Sequence, residues 1–324
     1  MAQPSRYFVT GGAGFIGSNL VDRLLADGHD VTAYDNFSTG QRNFLKSALP
    51  QQRFQLIQGD LLDVPALTSA VAGHDVVFHL AANADVRFGA DHPRRDLEQN
   101  TIATHNVLEA MRQTGVRQIA FSSTGSVYGE PDVFPTPENA PFPVQTSLYA
   151  ASKLAGEALI EAYCAAFDMR GFIFRFVSIL GERYSHGHVF DFLQQLSADP
   201  TRITVLGDGR QRKSYLYVQD CISAMLAALQ RASGQVNILN LGAEEYCTVN
   251  DSLGWICRRL GVEPQVQYTG GVRGWIGDSP FIFLDTARIR SLQWRPSLTI
   301  EQAILKTVDY LRENQWLLGS RRGG

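Results

Sequence analysis

The chain has 324 residues, 44% of them hydrophobic and 19% charged, with a formal net charge of −3. This is globular composition, with enough apolar surface for a large core in one big domain or two packed together. The mild acidity and the absence of a basic stripe argue against nucleic acid or an anionic membrane as partner, and no apolar run approaches the ~18 residues of a membrane span.

In chain order, residues 6–10 (RYFVT) predict a first strand. From Phe15 to Ala26, Ile16, Leu20 and Leu24 recur at helical spacing with Phe15 and Val21 beside them, and Gly28 suits a helix stop. Further strands are predicted over 30–35, 53–60, 75–82, 116–123 and 171–176, with helices over about 64–72, 95–113 and 147–168. Strands alternating with helices predict an α/β fold with a doubly wound parallel sheet. After about residue 178 the pattern becomes irregular until about 213. A helix (VQDCISAMLAALQR) and a buried strand (VNILNLG) then return to the sheet, and the rest closes with a helix from Ile300 to about Asn314, entered at Thr299. No repeat or low-complexity linker intervenes, so a smaller C-terminal domain is expected to be interleaved with the first. Residues 1–178 plus about 214–247 would bind a dinucleotide, and about 179–213 plus 248–320 a substrate.

Cys164, Cys221, Cys247 and Cys257 stand at no metal-ligand or CxxC spacing, and MAQPSRYFVTGG carries no apolar signal segment. Reduced thiols, a cytoplasmic location and no metal are expected.

Between the first strand and its helix stands TGGAGFIG, where Gly11, Gly14 and Gly17 give a GxxGxxG spacing. Glycine there permits a tight turn and lets backbone amides, with the helix start at Phe15 and Ile16, approach a pyrophosphate. Alone, the pattern is equally that of a plain turn. Asp35 ends the second strand, where a carboxylate accepts hydrogen bonds from both ribose hydroxyls and repels a 2′-phosphate, so NAD is expected rather than NADP. GDL at 59–61 places Asp60, followed by Leu61, past the third strand and within reach of an adenine amino group.

Tyr149 and Lys153 form YAASK, one helical turn apart on one face. A phenol ordinarily loses its proton at about pH 10, and an ammonium beside it is expected to bring that towards neutrality, giving a general base with a tethered cation. Thr124 ends the fifth strand in SSTGSVYG, at the sheet edge where ligands bind, and its hydroxyl can hold the substrate oxygen.

TGGAGFIG, Asp35, GDL, HLAA at 79–82, SST and YAASK, in this order and spacing, resemble the extended short-chain dehydrogenase/reductase family, with its Rossmann sheet. DNFSTG at 35–40 looks most like its NAD-dependent nucleotide-sugar epimerases/dehydratases of the UDP-glucose 4-epimerase kind. The resemblance implies that Asn36, Ser38, Thr39 and Gly40 line the adenosine side. Leu80, Ala81, Ala82, Asn100 and Ser122 would line the cofactor channel, and Phe176 and Val177 would lie near the nicotinamide. GDGRQRKSYLYVQD resembles the family's stretch that holds the substrate nucleotide, and RGWIGD its second substrate segment. Arg273 would hold the diphosphate and Asp278 the ribose, with Val86, His188, Val189, Val205 and Tyr215 as further substrate positions. Three departures touch that substrate. Lys213 and Ser214 stand where the family has Arg-Asp, although Arg212 is adjacent; Ser178 stands for Asn; and Ala84 stands for a Lys.

Related dehydratases and decarboxylases place an acid directly after the catalytic Thr, because a second proton must move. Here Gly125 and Ser126 follow Thr124. Oxidation and re-reduction at one carbon, C4 of a UDP-sugar, is therefore the expected reaction. Inversion at another carbon, a net dehydrogenase, reductase or dehydratase, and a non-catalytic NAD-binding regulator remain the alternatives. Along 147–168, Leu148, Leu154, Ala155, Ala158, Leu159, Ala162 and Ala166 leave a second apolar stripe that suits a homodimer. Phe281 and Phe283 flank Ile282 either at the sugar end or in the core.

Overall fold

The predicted alternation is realised as one seven-stranded sheet. The computed structural model describes residues 4–83, 91–142, 144–145, 147–274, 279 and 281–319. Arg6–Thr10 (β1), Asp30–Asp35 (β2), Phe54–Gln58 (β3), Val76–His79 (β4), Gln118–Thr124 (β5) and Arg170–Phe176 (β6) join the Val236–Leu241 strand. The order is Val236–Leu241, β6, β5, β4, β1, β2, β3. β1 runs parallel to β2 and β4, β2 to β3, and β4 to β5. Strand succession therefore reverses between β1 and β4, and the carboxyl ends on either side of that reversal open the crevice where such sheets take ligands. All of β4 and nearly all of β5 are buried, as expected of strands covered on both faces.

The chain forms two compact units. The first comprises Met1–Val127, Val144–Arg175 and Met225–Leu239, and the second Tyr128–Pro143, Phe176–Ala224 and Asn240–Gly324. In the first, Phe8, Tyr34, Val77, Val107, Met111, Phe121, Ile160 and Ile173 share one core. Each such side chain contributes roughly 1.5–3 kcal/mol by leaving water. The helices on this sheet are Phe15–Ala26 (α1), Val64–Val71 (α2), Ala103–Thr114 and Leu148–Phe167. Ser147 caps the last of these by accepting from the Ala150 amide at 3.1 Å.

The single helix expected over 95–113 is instead interrupted. An α-turn at Pro93–Asp96 is followed by a π-turn at Leu97–Ile102, and only then by the regular Ala103–Thr114 helix. The widened turn brings Asn100 inward, 1% exposed, so that its amide donates to Ser152 Oγ at 2.9 Å. Such insertions recur at functional sites.

In the second unit Ser178–Leu180 pairs in parallel with Tyr215–Tyr217, and Arg202–Val205 with Gln265–Tyr268. Arg212–Lys213 lies between Cys247–Thr248 and Phe281–Ile282. The Ile300–Glu313 helix starts at Thr299 as expected; Gln302 completes its capping box. The four cysteines are free thiols, three of them buried. Among the described residues no helix is long and apolar enough to cross a membrane.

Candidate active site

The turn between β1 and α1 requires its glycines. Gly11 takes φ +67°, and a Cβ there would lie 2.8 Å from the Ala81 backbone; one on Gly17 would run into the Gly11 carbonyl oxygen. Gly14 is the N-cap of α1 and offers it no side chain, and the first turn, opened by Phe15 and Ile16, holds no acid. The positive end of a twelve-residue helix is thus left without a side-chain cap, which suits the phosphates of a dinucleotide.

Asp35, 8% exposed, ends β2 and accepts from the Ala13 and Phe37 amides at 2.9 and 2.8 Å. Burial pushes its carboxyl up, and the two amides pull it back. A Cβ on Gly40 would come within 2.7 Å of that carboxylate, so only glycine lets the loop close over it. Asn36 donates to the Asp60 carboxylate at 3.1 Å and accepts from the Ser38 amide at 2.9 Å, with Ser38 and Thr39 exposed beyond it. Leu61 is buried, and its carbonyl accepts from Asn106. Close-approach glycines, an open helix end and an acid at the end of β2 together fit an adenosine diphosphate with free ribose hydroxyls.

Leu80, Ala81 and Ala82 leave β4 half-buried, and His79 just before them ties this exit to Asn100. Thr10 Oγ1 accepts from the Ala81 amide at 3.2 Å and faces His79 Nδ1 at 2.8 Å; Thr104 Oγ1 faces His79 Nε2 at 3.0 Å and donates to the Asn100 carbonyl at 2.5 Å. Thr104 has spent its proton, so Nε2 must be the donor, while Thr10 Oγ1 can serve Nδ1 as donor or acceptor. Burial pushes His79 down to about 3, with the Lys153 charge acting the same way. Below about pH 6.5 the unfolded chain takes up a proton that the folded ring refuses, so this stabilisation is full above that pH and fades as pH falls, at up to about 1.4 kcal/mol per pH unit. His79→Asn is expected to remove about one proton from the acid slope of stability. Urea unfolding between about pH 7 and about pH 5 measures it, and an unchanged slope refutes the assignment.

The three residues expected to do chemistry lie together in the first unit. Thr124 is the last residue of β5, 9% exposed, and Tyr149 and Lys153 stand on the first turns of the Leu148–Phe167 helix. The Thr124 side chain is within hydrogen-bonding reach of the Tyr149 phenol. Lys153 Nζ donates to the Ser122 carbonyl at 2.7 Å and sits 4.6 Å from the centre of the Phe121 ring. Tyr149 does not show the lowered pKa that its lysine neighbour suggested. Burial pushes the phenol up to about 12, with the Thr124 hydrogen bond lowering it and Asp96 raising it. Burial likewise pushes Lys153 down to about 7 against the pull of Glu157 and Asp96. Desolvation is the largest influence on the phenol and favours its protonated form.

In the second unit, Ser178 is exposed and pairs in register with Tyr215. Tyr215 lies 3.3 Å through its hydroxyl from His188 Nδ1, whose Nε2 meets Ser252 Oγ at 2.7 Å. Burial pushes His188 down to about 3, with the charge of Lys213 adding to the shift. Ser178, His188, Lys213 and Tyr215 thus share one neighbourhood, to which Ser252, not singled out in the sequence, belongs. Val177, 4% exposed, donates its amide to the Leu241 carbonyl, and Phe176 is 9% exposed. Val189 and Val205 are fully buried, which makes them core residues before anything else. Lys213 donates to the Ser279 carbonyl, and Arg273 pairs with Glu130. Arg212 stacks 3.9 Å above the Phe281 ring, which also packs on Phe134 and Tyr246. Phe281 and Phe283 therefore belong to a half-buried aromatic cluster. Ala84, Val86 and Asp278 lie outside the described residues.

A reversal-point sheet, a glycine turn opening an uncapped helix, an acid at the end of β2 and a Tyr-Lys pair beside a strand-end Thr define a Rossmann enzyme that uses a nicotinamide dinucleotide. Comparison with known proteins narrows the class. The profile of the NAD dependent epimerase/dehydratase family matches residues 7–242, and the chain belongs to that family. It is 35% identical over 315 residues to a UDP-glucose 4-epimerase of Mycolicibacterium smegmatis, covering 95% of this chain and 98% of that protein. A crystal structure of a UDP-galactose 4-epimerase superposes with a TM-score of 0.86 at 38% identity, over 96% of this chain and all of that one (100%). The UDP-glucose 4-epimerase of Thermotoga maritima, solved with UDP-glucose, gives 0.87 at 29% identity, over 96% and 99%. NAD is the cofactor, and the enzyme is an isomerase of nucleotide sugars.

Proposed function

We propose that the enzyme inverts C4 of a UDP-sugar of the glucose/galactose type, with Thr124, Tyr149 and Lys153 as its catalytic set. The observation that carries the reading is the composition of that set. A hydroxyl, a phenol and an ammonium converge in one unit, and the residues after Thr124 are Gly125 and Ser126; the Ser126 amide donates to Thr124 Oγ1 at 3.1 Å and its hydroxyl accepts from Thr124 Oγ1 at 3.2 Å. Elimination or decarboxylation needs a second acid/base group there, whereas oxidation and re-reduction at one carbon does not.

Tyr149 takes the proton of the sugar 4-hydroxyl and later returns it. Thr124 holds the same oxygen. Lys153, anchored on the Ser122 carbonyl, supplies the positive charge that favours the phenolate. NAD held by the first unit would supply the acceptor and donor of the C4 hydride and a positive charge that favours the phenolate. The first unit carries the dinucleotide on Gly11, Gly14, Gly17, Asp35 and Asp60. The second carries the nucleotide sugar near Ser178, His188, Lys213 and Tyr215, with Arg273 as the guanidinium for its diphosphate.

A homodimer in the cytoplasm, serving polysaccharide biosynthesis, completes the reading. Four free thiols suit a reducing compartment. On the Leu148–Phe167 helix, Ala158, Ala162 and Ala166 are exposed, and Leu148 is 46% exposed, opposite the buried face of Ala150, Lys153, Gly156, Ile160 and Cys164. Solution light scattering measures the mass directly.

The decisive experiment follows a panel of UDP-, dTDP-, GDP- and CDP-sugars by NMR. UDP-glucose and UDP-galactose are expected to interconvert without added NAD once the enzyme is purified with its cofactor. Inversion only at another carbon, or turnover that consumes added NAD, overturns the proposal.

A further inference from the structure

One buried acid beside the Tyr-Lys pair has no part in the chemistry described so far. Asp96 closes the Pro93–Asp96 turn, which packs against the Leu148–Phe167 helix, and it is 1% exposed. Its Oδ1 accepts from Asn83 Nδ2 at 2.9 Å and from Asn100 Nδ2 at 3.3 Å, while its buried Oδ2 has no hydrogen-bond partner among the described residues. A carboxylate oxygen so placed is costly unless a charge nearby compensates it.

The surroundings supply one. Asn100 exchanges hydrogen bonds with the Asn83 backbone and donates to Ser152 Oγ at 2.9 Å. Ser152 donates in turn to the Tyr149 carbonyl at 2.8 Å, and Lys153 follows it in the chain. The ionisable groups acting on the Lys153 ammonium come from several elements. Glu157 shares its helix, Asp96 comes from the turn, and His79 on β4 feels the Lys153 charge in turn. Glu157 acts more strongly on Lys153 and is also bonded to Arg175 and Ser123, whereas Asp96 keeps an oxygen that no described residue bonds.

We infer that Asp96 is a positioning residue for the Tyr149–Lys153 pair, fixing Asn83 and Asn100 against the catalytic helix and bringing a buried negative charge to it. The electrostatics agree in direction. Asp96 raises both Tyr149 and Lys153; its own carboxyl is pushed up by burial and drawn back by Asn83 and Lys153.

The inference rests on Tyr149 and Lys153 as the proton-transfer pair, and its test separates the two ideas. Asp96→Asn keeps the shape and removes the charge. In the NAD-loaded enzyme the Lys153 titration, read by NMR of isotope-labelled lysine without substrate, is expected to move about one pH unit lower. Both limbs of the kcat/KM pH profile are expected to move the same way, because the phenol is also relieved of a like charge. Asp96→Glu, which keeps the charge, is expected to hold both limbs near their wild-type positions. Lys153 titrating unchanged in Asp96→Asn overturns the inference, as does a uniform loss of kcat with unmoved limbs. Should Asp96→Asn not fold, Asp96→Glu decides: limbs in place support the inference, and displaced limbs overturn it. Failure of wild-type enzyme to invert any nucleotide sugar would instead strike the functional reading and leave the lysine titration standing.

Discussion

Tyr149→Phe is expected to lower turnover of the nucleotide sugar by a factor of roughly 10²–10⁴, with circular dichroism and bound NAD unchanged. The ring stays and only the hydroxyl is removed, so packing of the Leu148–Phe167 helix is untouched. No neighbour can substitute as base. Thr124 is an alcohol that holds a proton far above neutrality, and Lys153 Nζ is committed to the Ser122 carbonyl at 2.7 Å. The loss should fall mainly on kcat, because the proton moves in the transition state, whereas the binding groups of the second unit are left intact. The pH dependence follows from the two shifted groups. Burial raises the phenol and lowers Lys153 to about 7, so the phenolate and the ammonium coexist only in a minor form; rate climbs with pH until Lys153 begins to lose its proton, and falls only once the phenol has lost its own. Wild-type enzyme should therefore give a bell whose acid limb disappears with Tyr149. Near-normal turnover in Tyr149→Phe would remove the phenol from the mechanism altogether.

What could be read from the sequence was what depends on short spacing. Gly11, Gly14 and Gly17 sit within one turn, Asp35 ends a strand of obvious apolar pattern, and Tyr149 and Lys153 are separated by one turn of a capped helix. Local geometry then brings each to its place. The π-turn at Leu97–Ile102 could not be read in this way, because a helical period and a π-turn share the same apolar pattern and only packing against Ser152 selects between them. Asp96 was invisible for the same reason. Its neighbours Asn83 and Asn100 are brought to it by the turn, and an acid directly after an arginine pair reads as surface charge. The electrostatic expectation for Tyr149 failed because spacing shows the ammonium and hides the desolvation. In the second unit, Arg212 and Lys213 were interchangeable as sequence. In the structure Arg212 stacks on Phe281, while Lys213 reaches the Ser279 carbonyl and acts on His188. Ser214, standing where the family has an acid, is 1% exposed and bonds back to the Ala243 carbonyl, so the departure is absorbed by the fold. Glu157 alone offered a missed signal: it follows Lys153 by one further turn, on the same buried face.

That glutamate supports the second large expectation. Glu157→Gln should destabilise the first unit by about 3–5 kcal/mol, because it leaves a buried guanidinium without its counter-charge. Glu157 and Arg175 are 1% and 2% exposed; Arg175 Nη2 donates to Oε2 at 2.6 Å and Nε lies 3.1 Å from both oxygens, with Ser123 donating to Oε1 as well. A neutral amide has one acceptor oxygen where the carboxylate has two, and its NH₂ would face the guanidinium donor to donor. Since a whole domain is stable by only about 5–15 kcal/mol, the change should be plain in urea unfolding. The comparison that isolates the charge is the double variant Glu157→Met with Arg175→Met, which removes both ions and is expected to recover most of the loss. If Glu157→Gln alone is neutral, water must reach Arg175 and the pair is not the sealed contact seen beneath the helix. The same substitution should reach the chemistry. Glu157 opposes the burial that lowers Lys153, so its neutralisation should carry the ammonium lower still and draw the break in the pH profile that Lys153 sets towards acid. One residue would thus be read twice, in stability through Arg175 and in the rate profile through Lys153, and a structural role alone would move only the first.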